Sequence, residues 1–251
     1  MVRNIIIVGG QRCGSTMLYS NLLNAYNTKG ATQKNGEPKF FLGPEARTSA
    51  ESYLDSVFSN HPKDVALIEK STSYYENPTA LKKIKAALPT CSIVLIIRDP
   101  IKRAVSNYNF SLDNRLEHRS LIEALTSTQT PTYDPKISVS PFKYKERGLY
   151  SNHIQSIYEN FDKSQVHIVV FEELIASPDV FFGLVKALGL EHCGTFLPAL
   201  NRNESSGEKT KVDPELHKFL LDYFKSDVLR VFSLIGRNID KWEYIVGGEK
   251  H

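Results

Sequence analysis

Strands that alternate with helices along this chain predict an α/β fold: a single domain with a central parallel sheet flanked by helices, opening on a P-loop-like strand-loop-helix phosphate site. Three observations carry that expectation. Residues 5–8 (IIIV) are a short apolar run that ends in Gly9-Gly10 and leads into a helical stretch. Residues 92–97 (SIVLII) are apolar on both faces, as central parallel strands are. Residues 166–171 (VHIVVF) repeat the pattern ahead of another helix. The length, 251 residues, suits one domain over 1–251, and 41% apolar with 24% charged residues suits a sizeable core.

In chain order, residues 4–8 form the first buried strand. Residues 15–26 follow as a helix with Leu18, Leu22 and Leu23 on one face. Residues 66–69 (ALIE) are the next strand. Asn77-Pro78 opens a helix through Leu81, Ile84 and Leu88, and Pro89 closes it. The third strand is 92–97, followed by helices at 101–112 and 149–161. The fourth strand is 166–171, and a helix at 178–188 ends on Gly189. Asp213-Pro214-Glu215 supplies the cap, the first-turn proline and the first-turn acid of a last helix bearing Leu216, Phe219, Leu220 and Phe224. Segment 126–141, rich in Ser, Thr and Pro, reads as a loop or lid, and 201–211 as a polar, basic loop. There is no internal repeat.

The net charge is only +3, too small to imply nucleic acid or an anionic membrane as the main partner. Cys13, Cys91 and Cys193 lie far apart without a CxxC, which argues against a disulfide framework or a structural zinc. The first apolar run is too short for a signal segment, and no window reaches the length of a membrane span. The expectation is a cytoplasmic protein with no membrane partner; its oligomeric state stays open.

The strongest local signal is IIIVGGQRCGST running into the first helix. A strand, a glycine turn and a helix N-terminus make an anion site of backbone N–H groups and helix dipole. Gly9 and Gly14 have the Walker A spacing, but Ser15 stands at the lysine position and Thr16 follows. The cation is Arg12, inside the loop, which disfavours an ordinary ATPase or GTPase. A bare glycine turn is the simpler alternative; Arg12 beside two hydroxyls weighs against it. A second candidate follows SIVLII: Arg98-Asp99-Pro100, then IKRAVSNYNF. Ligands in open parallel sheets sit beyond the carboxyl ends of strands, where Arg98 falls. Arg98 and Ser106 together suit a phosphate. Taken alone, the segment equally admits Arg98 pairing with Asp99 and a solvated Arg103.

These motifs resemble those of the sulfotransferases that use 3′-phosphoadenosine 5′-phosphosulfate (PAPS). GGQRCGST is similar to their 5′-phosphosulfate loop and RDPIKRAVSNY to their 3′-phosphate motif. GEPKFF, EKSTSYY and RGLYSNHIQSIYENF resemble segments of the carbohydrate and bacterial branch. Three positions depart from the pattern: Arg12 where many members carry lysine, Lys39 where histidine is common, and Thr72 where proline is usual.

The resemblance implies transfer of a sulfuryl group from PAPS to a hydroxyl or amine of a small-molecule or oligosaccharide acceptor, with PAP as product and no metal. It assigns Glu37 as the base, with Arg12 and Lys70 as catalytic cations. It gives donor binding to Gln11, Arg12, Cys13, Gly14, Ser15, Thr16, Arg98 and Ser106, and secondarily to Tyr150, Lys209 and Lys211. Arg147 has a weaker claim. The aromatics after Glu37 are expected to limit water and raise its pKa. Tyr74 and Tyr75 belong either to the acceptor cleft or to the core margin, and Trp242 reads as a packing anchor. The competing functions are a small-molecule kinase with a degenerate P-loop and a non-catalytic nucleotide-binding module.

Overall fold

The computed structural model describes residues 3–33, 36–43, 49–59, 62, 64–129, 131–132, 140–192, 194–198 and 210–247. The chain runs β1 (Arg3–Gly9), α1 (Ser15–Leu22), β2 (Ala25–Tyr26), β3 (Thr28–Gly30), α2 (Ala50–Val57), β4 (Ala66–Lys70), α3 (Pro78–Ala87) and β5 (Ser92–Ile97). It continues through α4 (Pro100–Asp113), α5 (Leu121–Thr126), α6 (Tyr150–Asn160), β6 (Val166–Val170), α7 (Phe171–Ala176), α8 (Pro178–Ala187), β7 (Glu191–His192), α9 (Pro214–Ile235) and α10 (Glu243–Val246). It divides into two compact units, Met1–Ile97 with Gln155–Arg202, and Arg98–Ile154 with Asn203–His251.

The first unit holds a five-stranded, all-parallel sheet in the order β3-β4-β1-β5-β6. β1 is central because Ile5, Ile6, Ile7 and Val8 are wholly buried and have no polar face to show to solvent. β4 is buried along its whole length although it ends in Glu69-Lys70. Two buried ionisable side chains at one strand end mark a place where something other than packing is being served.

Several elements differ from the sequence expectation. α1 stops at Leu22, where Leu23-Asn24 turn the chain into β2; Asn27, left-handed at φ 51, then turns it into β3, in register with Ala66 to Ile68. β6 ends at Val170, because Glu172 and Glu173 favour a helix N-terminus and Phe171 opens α7. α2 and α5 are short helices behind serine caps, Ser49 and Ser120, the latter in a full capping box with Glu123.

In the second unit Asp99 caps α4, its Oδ1 accepting from the amides of Ile101 and Lys102 at 3.0 Å. Its Oδ2 accepts from the Tyr244 hydroxyl at 2.7 Å. Asp227 of α9 accepts from the Ser151 amide and hydroxyl, tying α9 to the first turn of α6. Trp242 is fully buried and stacks on Tyr150, the anchor role expected of it.

Candidate active site

The glycine loop is built by β1. The Gly10 amide donates to the Ile96 carbonyl at 2.7 Å, so the loop begins against the end of β5. Arg12 follows in the left-handed region at φ 63, a conformation that costs a non-glycine residue energy and clusters at functional sites. Gly14 (φ 86) must be glycine: a Cβ there would lie 2.6 Å from the Phe171 ring. As N-cap of α1, Gly14 offers no side-chain acceptor, so a helix N-terminus flanked by Arg12, Ser15 and Thr16 is presented without an internal cap. Gln11, Arg12 and Thr16 are half-buried. Cys13 is different. Its thiol is wholly buried, directed at the Gln11 carbonyl, and its amide turns back to the Gly10 carbonyl at 3.3 Å. Cys13 shapes the loop from beneath.

The second cluster lies at the end of β4. Lys70 Nζ donates to Glu37 Oε1 at 3.1 Å and Thr72 Oγ1 donates to the same oxygen at 2.9 Å. The segment carrying Glu37 is pinned twice more: the Lys39 amide donates to Ser71 Oγ at 3.0 Å, and the Phe41 amide to the Tyr74 hydroxyl at 3.2 Å. Gly36 (φ 68) packs so closely on Tyr19 that a Cβ would sit 2.2 Å from its ring. Residues past β4 run alongside β1, the Ser71 amide on the Ile7 carbonyl and the Tyr75 amide on the Val8 carbonyl, both at 3.0 Å. The glycine loop and the Glu37–Lys70 pair therefore share the carboxyl edge of one sheet.

The electrostatics of Glu37 run opposite to the expectation. Burial does push its carboxyl up, but the Lys70 charge, the Thr72 and Lys70 hydrogen bonds and the Lys39 charge together outweigh burial and hold it below the usual carboxylate value. Glu37 is an ionised acceptor at neutral pH. Tyr74 and Tyr75 are wholly buried, so they belong to the core and not to an open cleft.

In the second unit, Arg98 follows directly on β5. Its amide and carbonyl both meet the Tyr150 hydroxyl, which donates to the carbonyl at 2.9 Å. Tyr150 is fully buried, and its hydroxyl steadies the Arg98 backbone. Ser106 is half-buried on α4. Arg103 is fully buried, donating to the Tyr144 carbonyl and to Asn107 Oδ1, which corrects the reading of it as a solvated residue. Arg147 is also buried. Asp99 is engaged as the helix cap. Lys211 is exposed, its neighbour Thr210 bonding Asn109 at 2.6 Å; Lys209 lies outside the described residues. Among the described residues, no group of three or more His, Cys, Asp or Glu side chains could hold a metal ion. No helix among them is long and apolar enough to cross a membrane.

The family model of the sulfotransferase domain matches residues 3–181. The chain belongs to the sulfotransferase domain family. It is 31% identical over 196 residues to the Caenorhabditis elegans bifunctional heparan sulfate N-deacetylase/N-sulfotransferase 1, an alignment covering 74% of this chain and 22% of that protein. The chain spans 21–30% of the length of the first such relatives. A sulfotransferase from Alicyclobacillus acidocaldarius shares the fold, with TM-score 0.78 and 23% identity, covering 97% of this chain and 99% of that one. A mouse sulfotransferase complexed with PAP follows at TM-score 0.56 and 14% identity, covering 97% and 88%. The kinase reading is not favoured.

Sequence reasoning on this sulfotransferase domain found Lys70 but missed Thr72 and Ser71 among the residues that hold Glu37 and its segment in place. Thr72 was visible only as a departure from proline, yet its hydroxyl bonds the carboxylate. Ser71 carried no signal, because a serine after a strand has no distinguishing pattern until the loop it pins is folded against it.

Proposed function

We propose that this domain transfers a sulfuryl group from PAPS to a hydroxyl of a carbohydrate or small-molecule acceptor by in-line displacement, releasing PAP. The observation that carries this reading is the ionised Glu37, held by Lys70 and Thr72 at the sheet edge that also bears the glycine loop. Glu37 takes the acceptor proton as the acceptor oxygen bonds to sulfur and the bond from sulfur to the bridging phosphate oxygen breaks. Arg12, with the loop amides, Ser15 and Thr16, stabilises the charge that grows on the leaving phosphate. Lys70 serves two partners in turn. While it pairs with Glu37 it keeps that carboxylate ionised; when it moves onto the sulfuryl oxygens, Glu37 regains basicity as the proton must be taken.

Arg98 and Ser106 are proposed to take the 3′-phosphate, with Tyr150 holding the Arg98 backbone, and Lys209 and Lys211 to add charge there. Gln11, Cys13 and Gly14 contribute loop backbone. The reading needs no metal. An oligosaccharide acceptor is supported by the heparan sulfate relative and by the exposed Lys39 next to Glu37, which favours an anionic chain. One domain over 1–251 and a cytoplasmic site of action are part of the same proposal; the first is supported by the chain passing three times between the two units.

The test is a thermal-shift series followed by an acceptor screen with radiolabelled PAPS. PAP should stabilise the protein whether or not EDTA is present, and label should pass to a hydroxyl acceptor. Stabilisation by ATP that requires Mg²⁺, with none by PAP, would sink the reading.

A further inference from the structure

Glu69 is the one residue of β4 whose chemistry the proposed reaction leaves unused. It is wholly buried, and its carboxyl oxygens make no close, well-aligned hydrogen bond; the Tyr74 and Tyr53 hydroxyls interact with it more loosely. An acid is not buried in that state for packing alone, since leucine would fit with less penalty. The titratable groups around it are Tyr53 of α2, Tyr74 after β4, Glu37, Tyr19 of α1 and Cys91 before β5; none of them is basic. None of these described neighbours is a cation that could offset burial, which pushes its pKa up to about 8 and favours the neutral acid at pH 7.

Tyr74 and Tyr53 connect it to the base segment. The Tyr74 oxygen accepts the Phe41 amide, which leaves its own proton to be directed elsewhere. Tyr53 stacks on the Phe41 ring, centroids 5.0 Å apart. Both hydroxyls face Glu69. We propose that Glu69 is a positioning residue: by drawing the Tyr74 hydroxyl proton toward its carboxyl group it turns the phenol lone pairs onto the Phe41 amide, and so fixes the segment that carries Glu37. The functional part of this inference rests on Glu37 being the base; the structural part does not.

Amide exchange at Phe41, read by NMR on the whole chain, separates the two. Glu69→Leu keeps the site apolar and removes the acceptor; Phe41 exchange should speed up by about five- to tenfold, the loss of one hydrogen bond. Tyr74→Phe should do the same, and the double variant should add nothing further, because both remove one link of one chain. Glu69→Gln retains a carbonyl acceptor and should restore wild-type protection. Turnover should fall by about tenfold in Glu69→Leu and recover in Glu69→Gln, with PAP affinity unchanged throughout. Wild-type Phe41 protection in Glu69→Leu, or additive effects in the double variant, would overturn the assignment. If Glu37→Gln turns over normally while the exchange pattern stands, the base reading has failed and the clamp has not.

Discussion

Two residues, Glu37 and Lys70, set the protonation chemistry, and their substitutions separate basicity from charge. Glu37→Gln keeps shape and hydrogen bonding but cannot take a proton, so turnover should fall by about 10²–10⁴-fold with little change in PAP affinity. In wild type the carboxyl lies below the ordinary value, so the acid limb of the pH–rate curve should fall below about pH 4.5. Lys70→Met removes the largest opposing charge, leaving burial to raise the carboxyl; the acid limb should then move up toward neutral pH. A limb that stays put in Lys70→Met, measured as kcat against pH, would show that this ion pair does not govern the base. At the donor end, Arg12→Ala should slow transfer more than it weakens PAP, because PAP has already lost the sulfuryl group; Arg12→Lys should recover part of the rate. Arg98→Ala should weaken PAP by tenfold or more, as loss of a charge-assisted hydrogen bond worth about 1.5–3 kcal/mol requires. Adenosine 5′-phosphosulfate, which lacks the 3′-phosphate, should bind the two proteins alike.

Among the elements, the loop between β1 and α1 is the most constrained by its neighbours. Gly14→Ala must hold a methyl at φ 86 and against the Phe171 ring, so it should destabilise the fold by about 1–3 kcal/mol and weaken PAP as well. A thermal midpoint equal to wild type would show that α7 yields to the methyl. This loop was legible in the sequence because its chemistry is local: a strand, a glycine turn and a helix start are contiguous in 5–26. The capped helices α3 and α9 were legible for the same reason, since Asn77-Pro78 and Asp213-Pro214 write the caps into adjacent residues. β3 was hidden because its three residues, Thr28–Gly30, carry no apolar pattern and are strand only through pairing with β4. The depressed pKa of Glu37 was hidden in the same way. Its aromatic neighbours are close in sequence, whereas Lys70 and Thr72, which win, are more than thirty residues away.

For the whole molecule, stability against pH should carry contributions of opposed sign, seen most strongly at Glu117 and Glu69, with the depressed Glu37 sharing the sign of Glu117. In the second unit, burial pushes the Glu117 carboxyl up, but Arg119, the Arg119 and His118 amides and Tyr144 outweigh it and hold it at about 2. A depressed carboxylate stabilises the folded chain above its unfolded value near 4.5, and that stability is lost as pH falls toward 2. Glu69 in the first unit has the opposite sign. Its folded value of about 8 lies above the unfolded 4.5, so between those limits the folded state binds the extra proton. Stability therefore declines as pH rises through that window, by about 1.4 kcal/mol per pH unit for one proton, and levels off above pH 8. The two slopes meet near pH 4.5–5, below the pH at which most proteins are most stable. Glu69→Gln cannot ionise, so it should remove the upper slope and leave the acid slope of Glu117 intact. Urea titrations of wild type and Glu69→Gln at pH 5, 6.5 and 8 measure this directly: the variant should gain on wild type steadily from pH 5 to 8. Parallel curves across that range would mean that Glu69 is ionised inside the fold, in which case some cation must reach it and the neutral clamp on Tyr74 could not operate.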